Sequence, residues 1–309
     1  MRATSWRPDG IWGTVLLPVK RGAVDHGALT ETVDILCASP LAGLYTNGTA
    51  CEFHNQTEAE FDALAELVAS RARAAGKPFQ IGVSDTNARR SRERLARIGA
   101  LSPDGVQFIV PDWWPPAPDE QKRFVAGMQA AAGDLPLVLY QPPHAKTQLS
   151  LAEIAALRAE APGLVGIKCL GGDAAWYAER RRLLPSFSVF VGGGSVAFGR
   201  PLGADGSYSN LACLTPHGAV RHWHMIESNP DMANEIEARF MAFLKTYLLP
   251  LGQGRRTLSN SALDKLMAAA GGWGPVGPDL LWPYSGANAE DVTAVAQAAR
   301  AALPELFEA

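Results

Sequence analysis

Leu164-Val165-Gly166-Ile167-Lys168 is an apolar run that ends in one lysine, and Cys169-Leu170-Gly171-Gly172 then breaks the pattern. Such a run reads as a buried strand with turn residues behind it. An ammonium at its end is either solvated or held where its charge is disfavoured, and a lysine whose pKa burial lowers can act as an amine nucleophile. Taken alone, the run fits a surface lysine just past a strand better, because most lysines are solvated. The flanking segments have to decide.

Working outward, apolar runs of strand length recur at residues 10–19, 43–45, 79–83, 105–110, 135–140, 187–191 and 206–210. Segments of helical period separate them. Two of these open on a capping box, Thr57 with Glu60 and Ser150 with Glu153. Strand and helix thus alternate about eight times, which predicts parallel strands joined by right-handed crossovers. Eight repeats favour a closed (β/α)8 TIM barrel over an open sheet. No GxGxxG follows the first strand, so a dinucleotide site is not indicated. Past residue 225 the strand signal stops, and helical stretches at 231–248, 260–270 and 289–303 predict a C-terminal helical appendage. The expected division is a barrel over residues 1–225 and a helical region over 226–309 packed on it.

The chain has 309 residues, 47% of them hydrophobic, and a net charge of −3. That charge implies no nucleic-acid partner. Residues 1–10 lack a leader pattern and no run approaches about 18 apolar residues, so a cytoplasmic protein with no membrane partner is expected. Cys37, Cys51, Cys169 and Cys213 are too scattered for a disulfide framework or a CxxC site. The histidines form no HExxH; His222 and His224, two apart on a predicted helix, point to different faces, and no metal is assigned.

In such a barrel, chemistry collects at the C-terminal ends of the strands. Lys168 ends the sixth strand and Tyr140 the fifth, so the two should be neighbours, with the tyrosine hydroxyl placed to shuttle a proton. The loop Thr46-Asn47-Gly48-Thr49-Ala50-Cys51-Glu52 reaches the same mouth, where its backbone N–H groups and Thr49 suit a carboxylate; an ordinary turn fits this string as well. Asp112-Trp113-Trp114 after the fourth strand adds a carboxylate and two indoles, and equally fits a rigid rim or a subunit contact.

The set GTVLLPV, GLYTNGTACE, LYQPP, GIK and GADGSYSN, in that order, resembles the dihydrodipicolinate synthase and N-acetylneuraminate lyase family of class I aldolases. The resemblance covers the barrel and the tail. It implies a lyase in which Lys168 forms a Schiff base with a 2-oxo acid of the pyruvate type and Tyr140 shuttles protons. Gly48, Thr49 and the Ala50 amide would hold the carboxylate, and Tyr208 would supply a backbone contact near the substrate. No cofactor is implied, and a homotetramer built as a dimer of dimers is.

Three departures refine this. The family's glycine-threonine-threonine-glycine-glutamate stands here as Gly48-Thr49-Ala50-Cys51-Glu52, without the second threonine hydroxyl. Asp112-Trp113-Trp114 replaces a segment that carries a relay phenol in the synthases, and His144-Ala145 stands near where they place an arginine. These changes point away from lysine biosynthesis. They favour aldol chemistry or dehydration on a 2-oxo acid derived from a sugar acid or an aromatic catabolite, with Trp113 suited to a flat or apolar group. The competing readings are an idle barrel kept as a ligand-binding or regulatory subunit, and a divergent dihydrodipicolinate synthase.

Overall fold

The computed structural model describes residues 6–253 and 257–308. Parts of the expected ranges 1–225 and 226–309, and half of the segment 1–10, therefore lie outside the described residues. The barrel strands are β1 (Gly10–Thr14), β2 (Gly43–Thr46), β3 (Phe79–Gly82), β4 (Gly105–Phe108), β5 (Leu137–Tyr140), β6 (Leu164–Lys168), β7 (Ser188–Val191) and β8 (Gly206–Tyr208). All pair in parallel, each with the next, and β1 closes on β8, which makes the (β/α)8 barrel read from the sequence. Helices lie between the strands, and the boxes at Thr57 and Ser150 cap two of them.

Side-chain parity sets what each strand contributes. On β7, Val189 and Val191 pack outward with the helices, whereas Phe190 joins Trp12, Tyr45, Val138, Val165 and Tyr208 inside the barrel. β6 departs from this alternation. Its register against β5 shifts between Leu137 and Val138, where Gly166 faces Val138. Val165 and Lys168, an odd number of positions apart, thereby both turn inward. Without that irregularity, a strand that buries Val165 would send Lys168 toward the helices.

Aromatic rings close the N-terminal end of the barrel. Trp6 meets Trp12 edge to face at 6.0 Å, and a Cβ on Gly43 would lie 2.6 Å from the Trp12 ring. Only glycine leaves room there. The first strand is shorter than residues 10–19: after Thr14 the chain leaves the sheet, Pro18 offers no donor, and Val19–Lys20 pairs with Ala23–Val24 in a small hairpin.

After the barrel come the helices Pro230–Phe243, which contacts the barrel helix Val196–Leu202, Asn260–Gly271, and Ala289–Ala302, which packs on the other two. The middle one docks on the turn after β2. Its Ser261 hydroxyl donates to the Thr49 carbonyl at 2.7 Å, and its Lys265 Nζ donates to Glu52 Oε1 at 2.5 Å and to the Asp279 carbonyl at 2.7 Å. The Leu281 N–H completes the Glu52 carboxylate. Among the described residues, no helix is long and apolar enough to cross a membrane.

Glu52 and Lys265 are fully buried, so removing one partner strands the other's charge. Lys265→Met should destabilise the fold by about 3 to 5 kcal/mol in urea unfolding, and adding Glu52→Gln should recover much of that. A loss under about 1 kcal/mol for the single variant would show that the pair does not hold the helix to the barrel.

Candidate active site

Lys168 ends β6 directly opposite Tyr140 in the β5 register. Its Nζ donates to the Tyr45 hydroxyl at 3.4 Å. It also lies 4.2 Å from the Tyr140 ring centre, 4.8 Å from that of Tyr45 and 5.4 Å from that of Tyr208. Burial pushes the lysine pKa down to about 8, against the opposing charges of Asp264 and Cys213. An ordinary lysine at pH 7 is almost wholly ammonium, whereas this one keeps an appreciable share of neutral amine.

The turn after β2 supplies the second part. Gly48 precedes a single 3-10 turn, Thr49–Cys51, and the chain reverses at Glu52 with φ 55°. A Cβ on Gly48 would press on the Tyr45 ring at 3.1 Å. The Thr49 hydroxyl shares a 3.1 Å hydrogen bond with the Tyr140 hydroxyl. The Thr49 and Ala50 N–H groups open the turn and have no partner among the described residues, as expected at a helical N-terminus. Burial raises the Tyr140 phenol to about 12, with the Thr49 hydrogen bond acting the other way. At neutral pH it is therefore a protonated donor that needs an acceptor before it can release its proton.

Above this lies a cavity of about 490 Å³ whose lining includes Thr49, Tyr140, Phe53, Ile109, Asp112 and His144, with Asn260 and Ser261 from the C-terminal helix. Lys168 is not part of that lining; it sits behind the Tyr140 ring. Asp112 reaches the cavity rim, where its Oδ1 accepts the Lys146 N–H at 2.6 Å. Trp113 does not line the cavity: it is 77% exposed, with Lys146 Nζ 5.2 Å from its ring. Tyr208 contributes its side chain, which points into the barrel and donates to Gln80 Oε1 at 2.7 Å.

The geometry adds Tyr45, Asp264, Cys213, His54 and Asn260 to the residues read from the sequence. Tyr45 was within reach of sequence reasoning, since it stands two positions before Asn47 on a strand whose Leu44 packs outward. His222 turns into the core, where its Nε2 contacts the Ala233 carbonyl at 2.9 Å, while His224 faces outward.

A parallel eight-stranded barrel with an amine and a phenol at the C-terminal ends of adjacent strands carries its ionisable groups where barrel enzymes carry their chemistry. The comparisons give the class. Residues 7–258 match the model of the dihydrodipicolinate synthetase family, so the chain belongs to that family and with it to the aldolases and lyases. A 4-hydroxy-tetrahydrodipicolinate synthase of Alkaliphilus oremlandii is 26% identical over 182 residues, 58% of this chain and 61% of that one. A probable 2-dehydro-3-deoxy-D-pentonate aldolase of Escherichia coli K12 is 28% identical over 215 residues, 65% of this chain and 69% of that one. The wild-type sialic acid aldolase of Ruminococcus gnavus superposes with a TM-score of 0.81 at 16% identity, over 96% of this chain and 99% of that one, a likeness of fold.

A lysine with its pKa near 8 reacts as the amine above that pH and is silenced as the ammonium below it. Competitive labelling of the native protein with an acylating reagent should give a midpoint near pH 8 for Lys168, against about 10.4 for exposed lysines. A midpoint near that of the exposed lysines would contradict the burial described here.

Proposed function

We propose that this chain is a Schiff-base lyase: Lys168 condenses with the C2 carbonyl of a 2-oxo acid, of which pyruvate is the smallest fragment. The observation that carries the reading is the Lys168 amine beside the Tyr140 ring, whose hydroxyl meets Thr49 3.1 Å away. An iminium draws electrons from the adjacent carbon, which eases either C–C cleavage or loss of a β-hydroxyl.

The substrate carboxylate would lie on the Thr49 and Ala50 N–H groups, which fits the loss of the second threonine hydroxyl, since backbone donors need no side chain. Tyr140 would hand its proton to the substrate carbon or oxygen that gains one and recover a proton from the substrate group that loses one, so the phenol ends the turnover protonated. The far end of the substrate would fill the cavity between Phe53, Ile109 and Pro142, with Asp112, His54 and His144 at its outer edge. That mixture suits a 2-oxo acid with a sugar-acid or aromatic tail. The Escherichia coli relative, a probable 2-dehydro-3-deoxy-D-pentonate aldolase, supports the first of these. Membership of the family supports a homotetramer as part of the same proposal, with Trp113, Trp114 and Trp282, each more than three-quarters exposed, as surface for another subunit to cover.

Borohydride reduction in the presence of pyruvate should fix one pyruvate remnant on Lys168, read by peptide mass spectrometry. Tyr140→Phe should keep that adduct and lower turnover of a cleavable 2-oxo-3-deoxy sugar acid by about 100-fold or more. An unmodified wild type, or an adduct that survives Lys168→Ala, would sink the imine. Adduct formation with no turnover of any 2-oxo-3-deoxy acid would favour a ligand-binding barrel.

A further inference from the structure

We propose that Asp112 sets the specificity of the cavity: it accepts a hydrogen bond from a hydroxyl at the far end of the 2-oxo acid and repels an acid whose far end is a second carboxylate. The proposal rests on the Schiff-base reading above and names the tail that the site admits.

The cavity of about 490 Å³ falls in the range of pockets that hold whole organic ligands, so there is room for a tail past Thr49 and Tyr140. Its wall is mainly apolar. Phe53, Ile109, Pro142 and Ala145 line it, and His54 meets the rings of Phe53 and Tyr284 edge to face at 5.7 and 5.3 Å. The described residues of the lining include no lysine and no arginine, and Asp112 is their one carboxylate.

Other polar groups of the lining are already committed to the protein. The Ser261 hydroxyl donates to the Thr49 carbonyl, the Asn260 amide donates to Asp264, and the Thr49 hydroxyl shares its bond with Tyr140. Asp112 differs from these. Its Oδ1 accepts the Lys146 N–H at 2.6 Å, which fixes the carboxylate, while its Oδ2 has no partner among the described residues. Nor is its charge paired there: the Lys146 ammonium donates to the Trp113 carbonyl at 3.0 Å, with the Trp113 ring centre 5.2 Å away.

A carboxylate only accepts, and its bonds to donors such as a hydroxyl are of the stronger, charge-assisted kind. The proposed reading already gives the first carboxylate of the substrate to the Thr49 and Ala50 N–H groups. A second anion in the tail would meet Asp112 with no cation in the lining to offset the repulsion. An asparagine oxygen would hold the Lys146 N–H equally well. What the aspartate adds is charge, and a charge in a cavity wall selects among the molecules that enter. The tail that fits is uncharged and carries a hydroxyl.

The test is capture of 2-oxo acids on Lys168 of the full-length protein by cyanoborohydride, followed by intact mass at about pH 8, where imidazoles are ordinarily neutral. The probes are straight-chain 2-oxo acids of about five to seven carbons that end either in a primary alcohol or in a second carboxylate, a like charge to Asp112. Each rate is divided by the rate for pyruvate in the same protein. The wild type should prefer the alcohol by about tenfold or more at the length that reaches Asp112. Asp112→Asn, which keeps an oxygen for the Lys146 N–H, should bring the two rates at that length within about threefold of each other. His144→Arg, which adds a cation to the lining, should reverse the preference; it decides the matter if the first variant does not fold. Equal rates in the wild type at every length, or a preference that neither substitution changes by more than about twofold, would overturn the proposal and leave the imine intact. No capture of pyruvate by the wild type would overturn the imine, and this proposal with it.

Discussion

The buried pair of Glu52 and Lys265 is the contact on which the site depends. Neither side chain reaches solvent, and each is completed by backbone groups, the Leu281 N–H on the carboxylate and the Asp279 carbonyl on the ammonium. Charges taken out of water at that cost hold only one geometry. Glu52 ends the turn that carries Thr49, and Lys265 follows Asp264 on the helix. Locking one to the other therefore places Thr49 against Tyr140 and brings the C-terminal helix over the barrel mouth. The glutamate of the Gly48-to-Glu52 motif serves the architecture, and Thr49 before it lines the cavity.

Around Lys168 two effects compete. Burial disfavours the ammonium, whereas three tyrosine rings and the Asp264 charge favour it. Burial wins by enough to leave a useful fraction of free amine near neutral pH, but the rings remain. A positively charged nitrogen formed during reaction meets the same ring faces. An environment of this kind is suited to a nitrogen that alternates between neutral and cationic forms.

The barrel was legible because each βα unit repeats the same switch of hydrophobic period, and eight repeats leave little choice of closure. Lys168, Tyr140 and Thr49 were legible because strand ends in a barrel share one mouth. Sequence position could not show that Lys168 points inward, since the register shift at Gly166 sets its parity. Asp264 was invisible for a different reason. Asn260, Asp264 and Lys265 stand on a tail helix about a hundred residues beyond Lys168 in sequence, and only the docking of Lys265 on Glu52 ties that helix to the turn after β2. Trp113 erred in the opposite direction: prolines at 111, 115 and 116 carry the segment outward, so its indole is surface and only Asp112 reaches the cavity.

On the proposed function, a 2-oxo acid becomes covalently attached to the end of β6, beside a cavity partly lined by the C-terminal helix. The direct measurement is a crystal structure of the protein soaked in pyruvate. Continuous density from Lys168 Nζ to C2, with the carboxylate on the Thr49 and Ala50 amides, is the result expected. Pyruvate bound elsewhere, or held in the cavity with Lys168 unmodified, would contradict it.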